Sequence, residues 1–169
     1  MKISSVDLEE FRSNNFDCPS FKVKNPLVNF DEVRKHVWSQ LRSVDALELQ
    51  PDKIVMYEFS TFEDLIKIIA NCNPKEMEVL LKQMEEKLKT DLFVEYRAKL
   101  FESLLLLALL GETLNGKNVE FRIVICLVNK RDIYFYDELK RKAKKFLAGK
   151  LNSIFPPGSG DRVLTVLSK

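Results

Sequence analysis

The chain has 169 residues, 46% of them hydrophobic and 31% charged, with 27 Lys and Arg against 25 Asp and Glu. This is the composition of one soluble globular domain, large enough to bury roughly 70% of its unfolded-chain surface without staples, and it excludes a fibrous, low-complexity or disordered chain. The net charge of +2 is unevenly spread: Lys130, Arg131, Lys140, Arg141, Lys142, Lys144, Lys145 and Lys150 face only Asp132, Asp137 and Glu138, so one basic stretch sits on a mildly acidic body.

The three cysteines, Cys18, Cys72 and Cys126, are far apart and form no Cys-x-x-Cys pair. Such spacing predicts no disulfide framework and points to a reducing, cytoplasmic setting. The first ten residues lack the apolar region of a secretory signal. The longest apolar run, Leu104 to Leu110, is seven residues and too short to cross a bilayer, so no membrane partner is expected. Glutamine is scarce and Lys and Glu are plentiful, a composition that leans towards thermophiles.

Taken in order, residues 1–28 read as an irregular N-terminal segment, held on the body by Phe11, Phe16 and Phe21. Residues 29–169 read as a single globular unit. Asn29, with Glu32 three residues on, has the spacing of a capping box and predicts a helix through Val44, with Val33, Val37, Leu41 and Val44 as its apolar stripe. Lys53 to Phe59 reads as a strand. Ser60 and Glu63 begin a second helix, and Asn73-Pro74 with Glu76 begins a third, marked by Met77, Leu80, Leu81, Met84 and Leu88.

Next comes the most apolar part of the chain. Leu92 to Leu110 predicts a helix whose second half is apolar all round, which belongs in a core. Val119 to Val128 predicts a strand apolar on both faces, the mark of a covered sheet interior. Asn129 to Asp132 and Ile133 to Tyr136 suggest a hairpin, Asp137 caps a last helix, and Arg162 to Leu167 predicts a final strand beside the central one. The fold class expected is α/β or α+β: one layered domain, a mixed sheet of about four strands covered by five to six helices, with a buried leucine-rich helix.

Candidate chemistry is sparse. On the 137–150 helix, Lys140 and Lys144, and Arg141 and Lys145, are four apart and share faces. With Lys130 and Arg131, and with Tyr134 and Tyr136 nearby, they form a candidate nucleic-acid surface, set against a plain solvated helix face. The C-terminal element order invites comparison with restriction-endonuclease-like cores, which place a carboxylate on one strand and Glu-x-Lys on the next to hold Mg²⁺ and polarise the attacked phosphate. Glu120-Phe121-Arg122 does not meet that requirement and reads as the polar start of a buried strand. Glu58 is a lone carboxylate in a strand-to-helix connection, where ligands often sit, but without a partner it reads as a surface or capping residue.

Gly158-Ser159-Gly160 precedes a strand rather than a helix and is no phosphate loop. His36 with the three cysteines would have to converge from four elements to hold zinc. Cys126 reads as a buried small hydrophobe. A winged-helix reading fails because the would-be recognition helix is nearly all leucine.

Without a catalytic constellation, the sequence points first to a non-enzymatic interaction protein without cofactor or metal, self-associating as a homodimer. A nucleic-acid-binding accessory factor is the alternative, and a divalent-metal-dependent nuclease comes third.

Overall fold

The computed structural model describes residues 6–18, 21–60, 73–126, 137, 141, 142, 145 and 164–168. A 3-10 turn, Leu8–Phe11, leads into β1 (Arg12–Ser13), β2 (Leu27–Asn29), α1 (Phe30–Val37), β3 (Ala46–Leu49) and β4 (Lys53–Ser60). Helices α2 (Pro74–Lys89) and α3 (Asp91–Leu109) follow, then β5 (Asn118–Ile125) and β6 (Leu164–Ser168). One mixed sheet runs in the order β1-β2-β3-β4-β5-β6. The pairs from β1 to β4 are antiparallel, and β4–β5 and β5–β6 are parallel. A parallel pair needs a crossover, and α2 and α3 lie within the one that joins β4 to β5.

The mixed α/β class agrees with expectation, and the C-terminal strand adds beside β5 as its apolar pattern implied. The sheet has six strands rather than about four. Two of the extra strands are β1 and β3, two and four residues long, too short to carry an alternation of their own. Among the described residues there are three α-helices. The expected helix after Ser60 and the expected 129–136 hairpin lie outside the described residues, as does most of the expected 137–151 helix.

Local chemistry sets the helix ends. Asn73 accepts from the backbone N–H groups of Lys75 and Glu76 at 3.0 and 3.1 Å, with Pro74 in the first turn where no donor is lost. Helix α3 stops at Gly111, whose φ of +87° is open to glycine. There Glu112 N–H donates to Leu107 O and Gly111 N–H to Ala108 O, which satisfies two end carbonyls. Helix α1, capped by Asn29, spans only eight residues and ends at Val37, not Val44. Its Arg34 guanidinium binds the carbonyls of Ser39 and Leu41, closing a turn that sends the chain back into β3. Val33 and Val44 still reach the core, the second from that loop.

Period-two alternation sorts the sheet faces. Val28, Leu47, Ile54, Met56, Phe121 and Ile123 pack with Met84 and Leu88 of α2 and Tyr96, Leu100, Leu106 and Leu107 of α3. On the other face Leu27, Ala46, Val55, Tyr57 and Val124 pack with Cys18 and Cys126, and Phe16, Phe21 and Val23 lie over them. Phe16 and Phe21 each sit 5.1 Å from the Phe59 ring, centroid to centroid.

Two expectations change here. Helix α3 is not buried all round: Val94, Leu105 and Leu109 are 60, 49 and 40% exposed, while Ser103 is buried and accepts from Val44 N–H at 2.9 Å. A helix laid on a sheet buries one stripe whatever its composition. Cys126 is buried, but as half of a disulfide with Cys18, the two Cα atoms 5.2 Å apart across 108 residues of sequence. This corrects the expectation that the cysteines stay unpaired. Distance in sequence hid the pair, because β5 delivers Cys126 beneath the N-terminal segment.

Candidate functional site

The parallel strands β4 and β5 end together, and the crevice beyond such ends is a common ligand position. Because β3 runs antiparallel to β4, its beginning lies at the same place. Ala46 pairs with Tyr57, so the next residue outward, Asp45, stands opposite Glu58 on the helix-covered face. Asp45 N–H donates to Tyr57 O at 3.0 Å, and its carboxylate accepts from Phe59 N–H at 2.7 Å. The α1 N-terminus is tied in as well, since Phe30 N–H donates to Asp45 O at 3.0 Å.

Lys99 reaches this carboxylate pair from α3. Its ammonium donates to Glu58 Oε1, with Glu95 3.7 Å away on the preceding turn. Glu58 is 4% exposed, and its second oxygen, Oε2, has no hydrogen-bond partner. Burial pushes the Glu58 carboxyl up to about 8, Asp45 adds to the rise, and Lys99 offsets only part of it. Burial raises Asp45 too, against the Phe59 N–H bond and Lys99. Burial disfavours the charge on Lys99, but Glu58, Asp45 and Glu95 outweigh it and hold the ammonium above its ordinary value.

Two cavities open beside Asp45 and share it with Asp31. One, of about 320 Å³, is lined by Asp17, Asp31, Glu32, Asp45 and Lys35 with the Phe16 and Phe59 rings. The other, of about 310 Å³, is lined by Asp31, Arg34, Arg42, Ser43, Asp45 and Lys99. Burial opposes ionisation of Asp31, yet bonds from Lys35 and Arg34 keep its carboxyl below the usual range. Asp45 lines both cavities and Lys99 the second, while Glu58, buried beside Asp45 and bonded by Lys99, lines neither. Among the described residues no group of three or more His, Cys, Asp or Glu side chains is placed to hold a metal unaided.

The charge state of this cluster sets a pH dependence of stability. The folded protein keeps a proton on Glu58 that the unfolded chain releases near pH 4.5. Stability is therefore expected to fall as pH rises from about 4.5 to 8, by at most about 1.4 kcal/mol per pH unit, with Asp45 acting in the same direction. Urea unfolding in EDTA at pH 5, 6, 7 and 8 measures this slope. Glu58→Gln should flatten it, and an unchanged slope in that variant would assign the effect elsewhere.

Lys130, Arg131, Lys140 and Lys144 are outside the described residues. Arg141 and Lys145 are exposed, make interactions of their own and line neither cavity. Their neighbour Lys142 is 9% exposed and pairs with Glu85 of α2 at 3.0 Å, so this cation is not part of a solvated face. Glu120 bonds Lys53 and Arg122 at 3.0 and 2.5 Å on the opposite face of the sheet, consistent with its reading as a strand's polar start. His36 is exposed, edge-on to Phe11 at 5.8 Å.

The expectation that Glu58 is a lone surface or capping carboxylate is corrected: it is buried, with Asp45 beside it and Lys99 bonded to it. Its partner was missed because β3 was not read as a strand. The signal available was the Pro51-Asp52 turn between Ala46-Leu47-Glu48-Leu49 and Lys53-Ile54-Val55, a hairpin that aligns Asp45 with Glu58.

Comparison of the chain with family models, curated proteins and solved structures gives no match. Its function is therefore read from this geometry alone.

Proposed function

We propose that the protein is a divalent-metal-dependent phosphodiester hydrolase acting on nucleic acid, with its centre at Asp45, Glu58 and Lys99. The observation that carries this reading is the pair of carboxylates side by side at one strand end, one of them with a buried, unpartnered oxygen, and a lysine from α3 touching it. Mg²⁺ characteristically binds through one or two protein carboxylates together with substrate phosphate and water, so a third protein ligand is not required. Burial raises both the Glu58 and the Asp45 carboxyls, and Lys99 offsets only part of the rise; a divalent ion held between them would favour their charged forms.

In this reading Asp45 and Glu58 hold the ion. Lys99 withdraws charge from the phosphate under attack. The comparison with restriction-endonuclease-like cores moves from Glu120 to the β3–β4 hairpin, where Glu58-Phe59-Ser60 stands in place of Glu-x-Lys and the lysine comes from α3. The test is Mn²⁺ titration by calorimetry, followed by incubation of plasmid and fluorescent oligonucleotide DNA and RNA with Mg²⁺ or Mn²⁺. Saturable Mn²⁺ binding and metal-dependent cleavage support the reading, and absence of Mn²⁺ binding at millimolar concentration overturns it.

A second reading, self-association, is favoured by a specific observation. Val94, Leu105 and Leu109 form an exposed apolar strip along α3. Isologous pairing of such faces is the commonest route to a homodimer. Sedimentation velocity should then report a dimer for the native chain and a monomer for Leu105→Glu. A single monomer mass for the native chain across the micromolar range removes this reading. The candidate nucleic-acid contacts at Arg141 and Lys145 remain compatible with either proposal.

A further inference from the structure

The second cavity has features that the hydrolase reading does not use. It lies between α1, the Arg42–Ser43 stretch and α3, and it borders the carboxylate pair through Asp45. Three cations line it: Arg34, Arg42 and Lys99. The negative charge of Asp31 is already taken up by Arg34 and Lys35 at 2.7 and 2.8 Å. Lys99 is engaged with Glu58, but the Arg42 guanidinium makes no ion pair among the described residues. Ser43 is 5% exposed, and its hydroxyl has no hydrogen-bond partner. A buried unpaired hydroxyl costs stability, so its retention calls for a reason.

The backbone on either side of Ser43 is fixed. Arg42 N–H donates to the Glu102 carboxylate and Val44 N–H to Ser103 Oγ, so two α3 side chains pin the stretch from both ends. Donors held in place before a ligand arrives lose little freedom when it binds. A volume of about 310 Å³ holds on the order of ten waters at liquid density, room for a phosphate group with part of its hydration.

We infer that this cavity is a phosphate seat, in which Arg42 and Ser43 hold a phosphate of the nucleic-acid strand adjoining the one at Asp45 and Glu58. The inference rests on the hydrolase reading for its substrate, but not for its test. Arg42 supplies a planar guanidinium suited to two phosphate oxygens, and Ser43 donates its hydroxyl to a third. Both are positioning and affinity residues and take no part in bond breaking.

The probe is inorganic phosphate titrated in EDTA, followed by phosphorus NMR. The native protein should bind it saturably, Arg42→Ala should weaken binding about tenfold or more, and Arg42→Lys should recover part of the loss. Arg42 is exposed, so these variants should fold; Ser43→Ala, checked by circular dichroism, should weaken phosphate binding by a smaller factor. Asp45→Asn should strengthen it by removing a neighbouring negative charge. Short single-stranded DNA, also in EDTA, should lose affinity in Arg42→Ala in parallel.

Saturable phosphate binding unaffected by Arg42→Ala, no binding by the native protein, or DNA affinity indifferent to Arg42 would each overturn the inference. Since no metal or turnover enters the assay, a phosphate seat without hydrolysis would count against the hydrolase reading alone.

Discussion

Asp45→Asn and Glu58→Gln are each expected to lower metal-dependent phosphodiester cleavage by at least about 100-fold and to weaken Mn²⁺ binding. A bound divalent ion stabilises transition-state charge by several kcal/mol, and each 1.4 kcal/mol lost is a factor of ten. Both replacements keep the shape of the site. The amide oxygen introduced by Asp45→Asn can still accept from Phe59 N–H, and the neutral amide of Glu58→Gln suits a position whose burial already disfavours the carboxylate. Thermal unfolding in EDTA should thus show folded variants, which separates loss of the site from loss of the protein. Lys99→Met should divide the functions differently, with Mn²⁺ binding retained and turnover lost. If Asp45→Asn and Glu58→Gln leave both cleavage and Mn²⁺ affinity intact, the centre lies elsewhere.

Reduction of the Cys18–Cys126 bridge is expected to cost about 4–5 kcal/mol, because it closes a loop of 108 residues and a loop of that length removes a large entropy from the unfolded chain. For a chain of this size that corresponds to a fall in melting temperature of about 10–15 °C. Both sulfurs are buried, so reduction under native conditions should be slow, and Cys18→Ser with Cys126→Ser is the cleaner comparison. The bridge also anchors the wall of the acidic cavity. Cys18 adjoins Asp17 and Phe16, both of which line it, and Phe21 N–H donates to Cys18 O at 2.9 Å. The double variant should therefore weaken Mn²⁺ binding as well as stability.

Thiol titration of the unfolded, unreduced protein checks the premise: one reactive thiol per chain is expected from three cysteines. Three thiols, or equal melting temperatures with and without reductant, would contradict it.

What the sequence by itself determined is local. Asn29 and Asn73 cap the helices they were expected to cap, because a cap is a bond between residues two or three apart. The strand at Lys53 and the apolar strand from Val119 announce themselves by alternation or by continuous apolarity, and the C-terminal strand by its apolar run. The mixed α/β class follows from that list.

The tertiary structure alone decided the rest. β3 has only four residues; the Pro51-Asp52 turn hints at a hairpin, but the register that sets Asp45 opposite Glu58 is fixed by the pairing of β3 with β4. Lys99 is 41 residues from Glu58, and Cys18 is 108 from Cys126; no spacing rule reaches across such gaps. The leucine run from Leu104 looked buried on every side, but a helix against a sheet has one covered stripe, and Leu105 and Leu109 fall outside it. Composition set how much apolar surface had to be covered. Sheet register set which carboxylates would meet.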